Sequence, residues 1–131
     1  MIKLLDPNKL HDYVPISEEG ENKPFTLKLQ YPGLRLMEKI ENDSIELVTQ
    51  DNKSVHKIKS GTQKVVLLLN GVKGWENAPD GLTFNAEAPE TSLDFLPVAL
   101  RDEVVAKLRG NEDVLNDIRD KHAKKQAKLL E

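Results

Sequence analysis

The chain has 131 residues, 38% hydrophobic and 31% charged, which is enough apolar material for one core and too much for a chain disordered throughout. It has no cysteine, so disulfides, thiolate metal sites and cysteine nucleophiles are excluded. A net charge of −3, with both signs interspersed, lacks the basic footprint that neutralising phosphates requires, so nucleic acid is not expected as a ligand.

Residues 1–23 read as an N-terminal arm, partly extended or flexible, punctuated by Asp6-Pro7-Asn8 and Val14-Pro15 and closed by the charged run 17–22. Leu10, Tyr13 and Ile16 are the side chains able to pin it to a domain spanning 24–129. Met1-Ile2-Lys3-Leu4-Leu5 is too short for a signal sequence, and no stretch reaches the ~20 apolar residues of a membrane helix. A cytoplasmic protein is expected.

Alternation over 24–30 puts Phe25, Leu27 and Leu29 on one face of a strand, with Pro24 at its start. Pro32-Gly33 opens a helix over 32–42, with Leu34, Leu36, Met37 and Ile40 as its apolar stripe. Two alternating segments flanking Asp51-Asn52-Lys53 read as a hairpin over 45–58, a helix continued through Gln50 being the rival.

Ser60-Gly61-Thr62-Gln63 has the form of a capping box before Val65-Val66-Leu67-Leu68-Leu69. Periodicity alone leaves 64–70 open between helix and strand. The cap favours a buried helix over 61–72. Residues 74–92 read as irregular, with turn chemistry at Pro79-Asp80-Gly81. Thr91-Ser92 resembles a second cap, opening a helix over 93–109 whose stripe is Leu93, Leu96, Leu100, Val104 and Leu108, with Pro97 in its first turn. Gly110 is its left-handed cap. Asn111 opens a last helix, 111–128, with Leu115, Ile118, His122 and Leu129 on its stripe. Strands cluster early and helices late, so the fold class is α+β.

Reactive side chains do not converge. His11, His56 and His122 lie on three separate elements without metal-ligand spacing. No serine has the flanking glycines of a nucleophile elbow, and no glycine pattern fits a phosphate loop. Asp80 with Glu87 is a conceivable acid–base pair, but loop acids are ordinarily solvated. No catalytic residue, metal ligand or cofactor is therefore expected. Trp75 is the conspicuous side chain. It reads first as an anchor of loop 74–84 with its N–H on a carbonyl, and second as a protein-binding anchor.

Gly61-Thr62-Gln63, the apolar segment after it, Gly71-Val72-Lys73-Gly74-Trp75-Glu76-Asn77, and Leu96-Pro97 before an amphipathic helix form a recognisable set. With Leu5-Asp6-Pro7-Asn8, Tyr13-Val14-Pro15 and Phe25-Thr26-Leu27-Lys28, the stretch 5–109 resembles the tail assembly chaperones of long-tailed bacteriophages and prophages. It departs from that form at Ala78-Pro79-Asp80-Gly81 and Asn85-Ala86-Glu87. The resemblance implies a cytoplasmic, non-enzymatic role in binding another protein, such as a tape-measure or other tail protein. A structural tail or head-completion component is the alternative, and a small ligand-binding domain or enzyme comes third.

Overall fold

The structure, a computed structural model, describes residues 4, 6, 8–43, 45–50, 53–58 and 60–129, without the side chains of 43–62. It is an α+β fold built on a three-stranded antiparallel sheet.

The central strand is β2, Thr26–Gln30. As its alternation requires, Leu27 and Leu29 are fully buried on one face, beside buried Phe25, while Lys28 points to the other. There Lys28 Nζ meets Asp12 at 2.6 Å and Glu76 at 2.9 Å, one carboxylate from each neighbouring strand. Those two bonds raise the lysine pKa, that to Asp12 contributing most.

The arm contributes an edge strand, β1 (Leu10–Tyr13), pairing antiparallel with β2 so that His11 faces Leu29 and Tyr13 faces Leu27. His11 and Tyr13 are thereby half-buried. Leu10, expected to pin the arm, takes an outward position and is exposed. Val14-Pro15 then turns the chain into a single 3-10 turn at Ile16–Glu18, where Ile16 is buried.

Helix α1 is Leu34–Asp43, two residues shorter at its start than 32–42. Ile40 is buried and Leu36 and Met37 pack beside the core, but Leu34 is 91% exposed and leaves the expected stripe. Strands β3 (Ile45–Gln50) and β4 (Lys53–Ile58) form the expected antiparallel hairpin, with Asp51 and Asn52 outside the described residues.

Helix α2, Ser60–Gly71, settles 64–70 as helix. The side chains of Ser60 and Thr62, on which the capping reading turns, lie outside the described residues. Where 74–92 reads as irregular, α2 passes directly into β5, Val72–Glu76, on the other edge of β2. Leu29 pairs with Val72 but Lys28 with Gly74, so Lys73 is an extra residue on β5. This bulge lets Val72 and Trp75, three residues apart, pair with inward-facing Leu29 and Leu27. A regular strand would place them on opposite faces.

The single helix expected over 93–109 is two. α3 is Pro89–Leu93 and α4 is Val98–Leu108. Pro97 stands as N-cap of α4 with extended backbone (ψ 152°), lacks an N–H and disfavours helix at Leu96, so the chain breaks there. Thr91 and Ser92 lie inside α3, and Ser92 Oγ instead accepts the Asn85 N–H at 2.8 Å. Gly110, at φ +69°, closes α4. Its N–H reaches Lys107 O, and Asn111 N–H reaches Ala106 O, as in a Schellman cap. α5 is Glu112–Leu129, its first turn held by Asn111. Leu115 is buried and Ile118 and His122 are half-buried, but Leu129, in the last turn beyond the reach of α4, is exposed and leaves the expected stripe.

The helices cover one face of the sheet. Leu27 and Leu29 meet Ile40 of α1, Leu67 and Leu68 of α2, Leu93 of α3, and Val104, Val105 and Leu108 of α4 in one aliphatic core.

Candidate protein-binding surface

Two helices carry side chains from the core out to an open surface. On α2, Val65, Leu68 and Leu69 recur at helical spacing. On α4, Val98, Arg101 and Val105 do the same. With α3 across one end, they enclose a groove of about 680 Å³. Leu68, Leu93 and Val105 are buried and form its floor, while Val65 and Val98 remain 55% and 67% exposed at its lip. Their exposure has a local cause. Val98 is the first residue after the Pro97 break, one turn before the buried face of α4 begins, and Val65 precedes the buried pair Leu67-Leu68 on the solvent side of α2.

The rim is charged. Lys64 Nζ meets Asp102 at 3.2 Å, joining α2 to α4. The carboxylates of Glu90 and Asp94, one helical turn apart on the α3 side, form no ion pair among the described residues. Arg101 donates from Nη2 to the carbonyl oxygen of Asp94 at 3.1 Å, while its Nε is enclosed without an acceptor.

A second groove, of about 430 Å³, lies on the other side of the α3–α4 corner, bordered by Pro15, Phe25, Trp75, Pro79, Phe95 and Pro97. Phe95 is 66% exposed. The corner 95–98 thus supplies Phe95 to one groove and Val98 to the other.

Trp75 sits in β5, not in a loop. Phe25 and Phe84 pack edge-on against its ring at 5.5 and 5.1 Å, an arrangement suited to aromatic quadrupoles. Its N–H donates to the carbonyl of Leu82 at 3.1 Å. The loop after β5 is tied down from both ends, because Asn77 Nδ2 also reaches Pro24 O. Asn77, Asp80 and Gly81 all adopt positive φ, which short polar residues and glycine tolerate. Trp75 is half-buried, so most of its apolar body holds this loop and its remainder borders the second groove.

The histidines stay apart. His11 packs edge-on against Tyr31 at 5.0 Å, its Nε2 enclosed and without a partner, and His122 lies on α5. The side chain of His56 is outside the described residues. Among the described residues no three histidines or carboxylates gather where a metal could bind. Asp80 and Glu87 are both exposed loop residues.

One buried carboxylate stands out among the described residues. Glu103 of α4 is 6% exposed and accepts from the Tyr13 hydroxyl at 2.6 Å and the Ile16 N–H at 3.0 Å. Burial, then the hydrogen bond and charge of Glu103, push the Tyr13 pKa well above the usual phenol range. With Arg119 of α5 on Glu19 at 2.9 Å, this pair fastens the arm to the helices. Its donors are accounted for by the fold, so it stands apart from either groove.

No protein-family model, curated protein or solved structure matches this chain. Among the described residues no helix is long and apolar enough to cross a membrane.

Proposed function

We propose that this chain is a non-enzymatic protein-binding factor of the tail-assembly-chaperone kind, acting in the cytoplasm on another tail protein. The observation that carries the protein-binding part is the groove between α2, α3 and α4, with a buried aliphatic floor and two exposed valines at its lip. Exposed apolar surface beside a polar rim is the anatomy of a binding patch. Small-molecule sites differ in having polar groups that converge inside the pocket. Here Lys64 and Asp102 engage each other on the rim. The assembly context rests on the resemblance carried by residues 5–109, above all Gly71–Asn77 and Leu96-Pro97.

The test is genetic and biochemical together. A gene beside those for tape-measure and tail-tube proteins, and coprecipitation of the tagged chain with that tape-measure protein, are the expected results. Mass spectrometry of purified particles should find the chain missing, as an assembly factor that leaves would be. Its stoichiometric presence there would replace this reading with that of a structural virion component. Metabolic gene neighbours and no coprecipitation would remove both.

A further inference from the structure

We propose that the groove between α2, α3 and α4 receives an amphipathic helix of the partner protein, with the partner's lysines or arginines along the α3 side. This rests on the protein-binding reading above and adds the surface and the chemistry of what it binds.

The two walls are helix faces. Val65, Leu68 and Leu69 on one, and Val98, Arg101 and Val105 on the other, leave a trough between two side-chain ridges. A third helix fills such a trough by laying its own ridge into it, at interaxial distances of about 8–10 Å. Its anchors would fall at helical spacing over Val65, Leu68, Leu93 and Val98, the helix-in-groove mode of recognition.

Charge selects among possible helices. On the α2–α4 side the rim is internally neutralised, since Lys64 already holds Asp102. On the α3 side Glu90 and Asp94 lie exposed on one helical face and their carboxylates form no ion pair among the described residues, the nearby Arg101 donating to the backbone carbonyl of Asp94 instead. A partner with a basic flank there gains two attractions, whereas an acidic flank meets two like charges beside low-dielectric walls.

The experiment uses the full chain and two synthetic helices of about five turns each. Both carry leucine at helical spacing, one with lysine and the other with glutamate along its flanks, and binding is read by fluorescence anisotropy. The lysine helix is expected to bind at least ~10-fold more tightly at low salt, with the difference shrinking as salt rises. Glu90→Lys with Asp94→Lys should reverse that preference, and Val98→Asp should abolish binding of both helices. Circular dichroism establishes that each variant is folded, and Glu90→Gln with Asp94→Asn, which should merely erase the preference, serves if the reversal does not fold. Glu21→Lys with Asp120→Lys makes the same change of charge at exposed positions elsewhere and should leave the preference intact.

If that control erases the preference equally, the attraction belongs to net charge and the proposal is overturned. It is also overturned if neither helix binds, in which case coprecipitation with the tape-measure protein still decides the broader reading separately. A wild-type dimer that Val98→Asp converts to monomer would mean that a second copy of this chain fills the groove, again overturning it.

Discussion

Glu103 is carried into the interior because two donors from the arm meet it there. Replacing it by alanine strands the Tyr13 hydroxyl and the Ile16 N–H, and should cost about 2–4 kcal/mol in chemical denaturation. Asp102, its neighbour in sequence, pairs with Lys64 across half-exposed surface, so Asp102→Ala should cost only about 0–1 kcal/mol. The Tyr13–Glu103 contact sets a pH dependence. The folded state keeps the Tyr13 proton to higher pH than the unfolded chain does. Its contribution is therefore whole below about pH 10 and is lost as pH rises above that. Glu103→Gln removes the charge opposing the phenolate but leaves the burial that contributes most, so it should lessen this alkaline loss without abolishing it. Gly71 is a separate case, set by space. A Cβ there would stand 2.5 Å from Leu108 Cδ1, and Leu108 is itself buried and cannot swing aside. Gly71→Ala gains up to ~1 kcal/mol of helix propensity but incurs overpacking of about 1–3 kcal/mol, so a lowered unfolding midpoint is expected.

At the scale of elements, what the sequence reveals depends on how regular the element is. The alternation of Phe25, Leu27 and Leu29 reports one buried face, whereas Leu93, Leu96, Val104 and Leu108 are buried and Leu100 half-buried without sharing one helix, since they fall on α3, the break and α4. Gly110 marks the end of α4 because its backbone needs positive φ. β5 escapes detection for a physical reason. The bulge at Lys73 brings Val72 and Trp75 inward at odd spacing, and Gly74 adds no side chain to the pattern, so no period of two survives. β1 is equally hidden, since its inward residues are His11 and Tyr13, one of which reads as polar, and its apolar Leu10 faces out. The break before α4 was signalled by Pro97, but a proline fits the first turn of a helix as well as the cap before one. The groove was legible only in part. Val65 and Val98 are visible as apolar residues off the buried stripes, but that they face each other depends on how α2 and α4 pack. A truncation starting at Val14 tests how far the arm belongs to the sheet. It removes β1 and one donor to Glu103, leaving the β2 edge open to other chains. Loss of cooperative unfolding, or aggregation on concentration, is the expected result. A truncated chain as stable as the full one would mean the strand is dispensable.

For the whole molecule, the helices lie on one face of β1-β2-β5, while the other carries the ion pairs of Lys28. Trp75 spends most of its surface inside, holding its loop against Phe25 and Phe84, so the more open apolar surface lies at the corner 95–98 and along α2. A recognition surface on the helical layer leaves the sheet free to act as a rigid support. The most direct test is methyl and amide chemical-shift mapping of the full chain, titrated with the lysine-flanked helix. Shifts should concentrate at Val65, Leu68, Leu93, Asp94 and Val98, with Trp75 and Phe84 unmoved. Shifts centred instead on Trp75, Phe95 and Pro79, or spread evenly over the acidic surface, would contradict a groove that binds its partner between α2, α3 and α4.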